Sequence, residues 1–169
     1  MKYFTKEWHL GEYSVVKTQR IEEKYNKYFD ENLGKFPIQF VDFLNDTTLH
    51  DALIECCVID HAKCELSLRL ICGENKIGYS LFEIVYLNVQ VNELDIKTLK
   101  NNVSSDRTEL LFDEIDNSRY RFIHRLLFWP SYDDVEISFN DFKFYKQKIR
   151  SRKRSAIKQR FIEIPKTKE

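Results

Sequence analysis

The stretch from Glu109 to Tyr145 restricts the fold more than any other part of the chain, because apolar and polar residues alternate through it. Alternation with a period of two places every second side chain on the same side of an extended backbone, as in a strand with one buried face. In the first predicted strand, Tyr120, Phe122, His124, Leu126 and Phe128 lie on one face. In the next strand, Val135, Ile137 and Phe139 lie on one face. With turn residues at Asn117-Ser118 and Pro130-Ser131, the stretch predicts an antiparallel meander without a catalytic signature.

Helices are predicted ahead of the strands. Thr5 has the side chain of a helix N-cap, and apolar residues from Tyr13 to Phe29 recur at spacings of three to five, which predicts one packing stripe. Pro37 fits the first turn of a second, shorter helix that ends near Asp46. The segments ALIECCVID, CELSLRLIC and IGYSLFEIVYLNVQV then predict three strands, the first two forming a hairpin.

The order of these elements predicts an α+β fold, in which two N-terminal helices pack on a mostly antiparallel meander sheet of about six strands. We expect a single domain over residues 1–145, with a helical front over 1–46 and the sheet over 52–145. A basic C-terminal tail over 146–169 is expected to follow it.

The charge of the chain is unevenly distributed, although the total is zero. Residues 146–169 contain ten Lys or Arg and two Glu, a net charge of +8, which leaves 17 cations and 25 acids, or −8, for residues 1–145. The tail could lie across its own acidic body, or it could bind an external polyanion. The candidate binding residues are Lys146, Lys148, Arg150, Arg152, Lys153, Arg154, Lys158 and Arg160.

The cysteines do not have the spacing of a metal site. Cys56, Cys57, Cys64 and Cys72 lie within 17 residues but contain no C-x2-C pair. We expect Cys64 and Cys72 to be reduced core residues on the same strand face as neighbouring leucines, and a metal role with His50 or His61 is the alternative. With 4 Gly in the chain, a glycine-rich phosphate loop is also not expected. We therefore predict no metal and no cofactor.

Three motifs could carry catalysis. His50-Asp51 precedes the first strand, where it could form an acid-base pair or fix the turn, and the structural interpretation is favoured. His124 is interpreted as a core residue bonded through a ring nitrogen. Asp141-Phe142-Lys143 matches the D-x-K element of metal-dependent nucleases, but the upstream carboxylate that such a site needs cannot be placed. We therefore predict that the protein is not an enzyme.

Several segments carry a resemblance to known proteins: the opening MKYFTKEW, LHDALI, LLFDEI, and the HRLLFWP and EISFNDFKF segments. Together they resemble a family of small bacterial proteins of unknown function. The LHD junction followed by a meander is also similar to some immunity proteins that accompany bacterial polymorphic toxins. The resemblance implies a protein partner and brings no catalytic residues with it.

The leading hypothesis is a non-enzymatic, cytoplasmic binding module, immunity-like in neutralising a protein partner, with the −8 body steering a weakly basic partner. The absence of an apolar run at the N-terminus and of a segment able to span a bilayer favours this location. The alternative is sequence-independent nucleic-acid binding through the basic tail. An enzyme is the third hypothesis.

The predicted register can be tested by a pair of neighbouring substitutions. Ile137→Ala should lower the free energy of unfolding by about 2 to 5 kcal/mol, because it leaves a cavity in the core. Glu136→Ala, on the opposite face, should change it little. Urea denaturation of both variants is the measurement, and similar midpoints would mean that the register is displaced by one residue.

Overall fold

The computed structural model of the chain describes residues 1–46, 48–74, 78–105, 108–118, 120–150 and 159–166, and these contain four α-helices and eight strands. The helices are α1 (Lys6–His9), α2 (Val15–Asn32), α3 (Ile38–Asp46) and α4 (Glu93–Val103). The strands are β1 (Ala52–Asp60), β2 (Glu65–Glu74), β3 (Gly78–Leu87), β4 (Glu109–Asn117), β5 (Phe122–Trp129), β6 (Asp134–Phe139), β7 (Asp141–Ile149) and β8 (Arg160–Ile164).

The helices begin where side chains can cap free backbone amides. The Thr5 hydroxyl accepts from the Trp8 N–H at 3.4 Å, which confirms the predicted cap, and Ser14 does the same for Lys17 at the start of α2. The front therefore holds three α-helices, α1, α2 and α3, where the sequence predicted two. Gly11 lies between α1 and α2 with a φ of 70°, a conformation that glycine adopts without steric cost.

The strands form one sheet in the order β6-β5-β4-β1-β2-β3-β7, with β8 paired to β1 outside this path. The α+β class and the antiparallel sheet are confirmed, while the predicted number of about six strands is too low. Two three-stranded meanders, β1 to β3 and β4 to β6, are joined by pairing between β1 and β4. The chain then crosses from β6 to β3, where β7 adds at the end of the sheet.

One edge of β1 is shared by two strands. β4 pairs with β1 only at Ala52 and Leu53, and farther along β8 pairs in parallel with the segment from Cys56 to Asp60. Some residues that were expected in a basic tail therefore belong to the sheet. β7 continues past Tyr145 to Ile149, and β8 pairs with the part of β1 that β4 does not reach.

The helical front covers the edge of β4 beyond the two positions where β4 pairs with β1. The Ile115 N–H donates to the Tyr25 hydroxyl at 2.9 Å, and the Asn117 N–H donates to the Tyr28 hydroxyl at 2.9 Å. The buried carboxylate of Glu114 accepts backbone N–H groups from residues 2, 3 and 4 at 2.8, 2.5 and 2.5 Å. Since buried backbone donors need acceptors, the front is an integral part of the sheet's structure.

The core lies between α3 and the face of the sheet that carries Phe82, which we call the core face; the opposite side is the outer face. Phe40 and Phe43 of α3 are fully buried. The Phe40 ring lies 4.6 Å from that of Phe142 and 5.5 Å from that of Phe139, measured between centroids. Edge-to-face packing of this kind joins α3 to strands at both ends of the sheet.

The predicted faces of the second meander are largely confirmed. Val135, Ile137 and Phe139 are fully buried. Tyr120 was placed wrongly: it precedes β5, which begins at Phe122, and it is 78% exposed. Cys64 was also placed wrongly, because it lies in the turn before β2 with a φ of 54° and is exposed, whereas Cys72 is buried as expected.

The contribution of α3 can be measured at one position. Phe40→Ala should lower the free energy of unfolding by about 3 to 5 kcal/mol, because a fully buried ring is replaced by a cavity. Ile38→Ala is the matched control, since Ile38 is on the same helix but 71% exposed, and should change stability by about 0.5 kcal/mol or less. Equal urea midpoints for the two variants would contradict the packing of α3 described above.

Candidate binding surface

β7 is an edge strand. Its only strand partner among the described residues is β3, to which it pairs from Tyr79 to Leu87. An edge strand directs alternate N–H and C=O groups away from the sheet, where they can pair with another chain. From Tyr145 to Lys148 every side chain of β7 is exposed, so this part of the edge is accessible on both faces.

The exposed edge is basic. Lys143 lies opposite Val85 on the outer face, whereas Lys146 and Lys148 lie opposite Phe82 and Ser80 on the core face, beyond the part that α3 covers. Arg150 follows the strand. With Asp141 as the one acid, residues 141–150 carry four cations and a net charge of +3.

Exposure leaves the charges of Lys143, Lys148 and Arg150 accessible to solvent. In the described part of the chain, Lys143, Lys148 and Arg150 form no ion pair, and the Lys146 ammonium lies 5.4 Å from the centroid of the Phe82 ring. Tyr145, between them, is 61% exposed on the outer face. The surface formed by Lys143, Tyr145, Lys146, Lys148 and Arg150 is called the β7 edge from here on.

The structure brings together only part of the predicted basic set. Lys146, Lys148 and Arg150 belong to the β7 edge, while Arg160 begins β8, four strand spacings or roughly 19 Å away, on the outer face. Arg152, Lys153, Arg154 and Lys158 lie outside the described residues. Sequence analysis missed Lys143 as a member of the surface; the signal available was the absence of turn residues between Phe142 and Arg150.

The opposite end of the sheet is protected, in contrast to β7. Gln90 exchanges two backbone hydrogen bonds with Ser138 of β6, with N···O distances of 2.7 and 3.2 Å. The Asp95 carboxylate at the start of α4 lies against the backbone of Glu136. Burial is the main cause that raises the pKa of Asp95, and the nearby acids Glu136 and Asp134 raise it further. The β6 edge is therefore closed by its own chain.

His124 is a satisfied core residue, as the sequence predicts. Its Nδ1 lies 2.7 Å from the Tyr86 hydroxyl, and its Nε2 lies 3.0 Å from a carboxylate oxygen of Asp113. Burial raises the pKa of Tyr86, so the phenol keeps its proton at neutral pH. Because a carboxylate can only accept, Nε2–H donates to Asp113, and both ring nitrogens have partners within the protein.

His50 and Asp51 line an open cleft at the start of β1. His50 Nδ1 lies 3.1 Å from an Asp51 carboxylate oxygen, and the Asp51 N–H donates to the Leu110 carbonyl at 2.8 Å. The backbone bond ties the turn to β4, which favours the structural interpretation of the pair. The cleft has a volume of about 270 Å³ and is lined by His9, His50, Asp51, Glu109, Leu111 and Trp129.

The exposed Cys64 borders a second cleft of about 320 Å³, next to the turn between β1 and β2. His61 lies beside it, with its Nε2 2.8 Å from Glu163 of β8. In the described ranges, no group of three His, Cys, Asp or Glu side chains has the arrangement needed to hold a metal ion. No helix within those ranges has the length and apolar character needed to cross a membrane.

The D-x-K element lies at the start of β7. Asp141 and Lys143 do share the outer face, but their cross-strand partners are Leu87 and Val85, so no carboxylate lies directly opposite them. Asp141 also accepts the backbone N–H of Phe142 at 2.8 Å. The geometry favours a strand start over a metal-binding pair.

Asp116 is the centre of a charged network between β4 and the front. Its carboxylate accepts from the Tyr28 hydroxyl at 2.5 Å, from Arg125 at 3.1 Å and from Lys2 at 3.3 Å. Burial alone would raise the pKa of Asp116, but these three donors together outweigh it and hold the pKa below its ordinary value. Burial and the Asp116 hydrogen bond raise the pKa of Tyr28 to about 12.

The Asp116 network predicts a pH-dependent contribution to stability. Because the folded pKa lies below the value of about 3.9 for an unfolded chain, ionised Asp116 stabilises the folded state at neutral pH. This contribution is lost as the pH falls through the folded pKa. Asp116→Asn should therefore be destabilising at pH 7 and less so near pH 3 in urea denaturation. Asp30→Asn, on the exposed side of α2, is the control, and a penalty for Asp116→Asn that is independent of pH would contradict the assignment.

Comparisons with protein-family models, with curated proteins and with solved structures find no match for this chain. The family resemblance seen in the sequence therefore stays a hypothesis.

Proposed function

We propose that this protein is a non-enzymatic binding module that captures an acidic segment of a protein partner at the β7 edge. The observation that carries the proposal is an accessible strand edge with four cations and no capping element among the described residues. The β6 edge, at the other end of the same sheet, is closed by Gln90 and Asp95. Proteins ordinarily block the edges of their sheets. An edge that is left open can bind an extended peptide as an additional strand.

The sign of the partner follows from local charge. The body with its net charge of −8 would favour a basic partner at long range. At physiological ionic strength, however, charges more than about 8 Å apart are largely screened from each other. A segment lying along the β7 edge therefore meets the net charge of +3 of residues 141–150, with Glu83 of β3, opposite Tyr145, as one nearby acid, and the balance favours acidic side chains.

The positions of the cations favour a polypeptide over a nucleic acid. Lys143 is on the outer face, whereas Lys146 and Lys148 are on the core face. The side chains of an extended peptide also alternate between two faces and can pair with all three lysines. A phosphate backbone on one face would reach only part of the set. Nucleic-acid binding remains the second candidate, because Lys146, Lys148 and Arg150 are close in sequence and exposed.

The immunity-like role suggested by the sequence resemblance is one form that this function could take. Neutralisation requires a surface that is unoccupied until the partner arrives, and the β7 edge meets that requirement among the described residues. A toxin-like protein encoded in the neighbouring reading frame would support this role, and an acidic segment in that protein would support it further.

A charge-reversal experiment tests the proposed function. The variant K143E/K146E/K148E should lose binding to fluorescent polyglutamate by about tenfold or more, because like charges then face each other. The matched control K17E/K27E/K97E changes the same number of exposed charges on α2 and α4 and should bind like the unmodified protein. Fluorescence anisotropy at physiological salt is the measurement, with circular dichroism to check folding.

The same assay separates the two candidates. Equal loss of binding in the two variants would show that the total charge, and not the β7 edge, governs binding. If the protein binds single-stranded oligonucleotides but not polyglutamate, with a steep salt dependence, the second candidate is supported and the first is wrong.

A further inference from the structure

We infer that the acidic segment binds by adding an antiparallel strand to β7, and that its acidic residues have the spacing E-x-E-x-x-E. The inference rests on the proposed function and specifies the partner's conformation and sequence pattern. The observation behind this inference is the register of the cations along an accessible strand edge, and not their charge alone.

The backbone of β7 supplies the first element of recognition. The strand spans nine residues, a length of roughly 30 Å, and its partner on one side is β3 throughout. On its other side no described residue forms a backbone ladder with it. An added strand can therefore satisfy alternate N–H and C=O groups of β7 without displacing any element in the described part of the chain.

The register of the lysines gives the pattern. In an antiparallel pair, a partner strand passes Lys148 first, Lys146 two residues later and Lys143 three residues after that. Directly opposite residues share a face and have Cβ atoms roughly 5 Å apart, within reach of a Glu–Lys pair. Acids at these three positions yield E-x-E-x-x-E in the partner's own direction.

The two residues between the last acids of this pattern lie opposite aromatic side chains. Tyr145 is exposed on the outer face, and Phe144 is half-buried on the core face with its ring 5.5 Å from that of Phe43. Aromatic side chains pair well with β-branched residues across strands. We therefore place valine or isoleucine at these positions, giving Glu-Thr-Glu-Val-Val-Glu as the core of a probe peptide.

Charge also argues against a second copy of this chain on the same edge. Two β7 strands paired about a two-fold axis would bring two segments of net charge +3 together. Like charges on adjacent strands are destabilising, and the β6 edge that could offer Asp134 and Glu136 is closed by Gln90 and Asp95. An acidic segment of another protein is the occupant that the charges favour.

The test uses the full chain and a fluorescent, end-blocked peptide containing Glu-Thr-Glu-Val-Val-Glu. Two derivatives carry backbone N-methyl groups at alternate residues, one set at odd and the other at even positions. An added strand directs only one of these two sets of N–H groups at β7. One derivative should therefore lose binding by at least about tenfold, while the other binds nearly as well as the parent peptide.

A charge swap tests the register. The variant K143E/K146E/K148E should lose the parent peptide and bind Lys-Thr-Lys-Val-Val-Lys, whereas a peptide with the same composition in scrambled order should not be bound with comparable affinity. Rescue by the swapped peptide cannot arise from misfolding of the variant, so it supports the inference even if the triple substitution lowers stability.

The failures of the two proposals are distinguishable. If both N-methylated peptides bind like the parent, strand addition is wrong while acidic capture at the β7 edge stands. If neither the peptide nor polyglutamate binds, both are wrong. Self-association of the chain that the parent peptide competes away would assign the edge to a second copy and overturn the inference, as would tighter binding of an oligonucleotide lost in the same triple variant.

Discussion

The separation of β4 from β1 after two paired positions is the constraint on which most of this structure depends. It leaves backbone donors on β4 without a ladder partner, and buried donors of this kind are costly unless they find acceptors. Two tyrosine hydroxyls of α2 accept hydrogen bonds from the backbone N–H groups of Ile115 and Asn117. The Glu114 carboxylate of the same strand accepts hydrogen bonds from the N-terminal segment. The space beside β1 is filled from the other end of the chain, by β8. The helical front and β8 thus supply the hydrogen-bond partners that β4 and β1 do not give each other.

Most of the polar groups that could have served catalysis have a structural partner. His124 connects Tyr86 to Asp113 inside the core, and Asp116 joins Tyr28 to Arg125. Such groups stabilise the folded state because each donor meets an acceptor. What the described surface does present is a strand edge and a row of cations, which suit recognition of another chain.

Local patterns in the sequence were sufficient to locate most helices and strands, but they were insufficient to predict how the strands pair. Period-two alternation located β5 and β6 and the buried face of Ile137, and the aromatic stripe located α2. Pairing of β4 with β1 and of β8 with β1 joins residues far apart in sequence, and no local signal specifies it. For the same reason Lys146 and Lys148 could be singled out from charge, but the sequence could not show that they share an open edge with Lys143 while Arg160 lies elsewhere.

The parallel pairing of β8 with β1 has a consequence for synthesis of the chain. Cys56 pairs with Arg160, so this half of β1 waits for a partner that is translated 104 residues later. At translation rates of about 5 to 20 residues per second, the delay is on the order of 5 to 20 s. During that interval an apolar strand has one unpaired side on a nascent chain, a situation that favours engagement by chaperones or pairing with neighbouring nascent chains. Codon usage and chaperone supply would therefore affect the yield of folded protein through the last strand rather than the first.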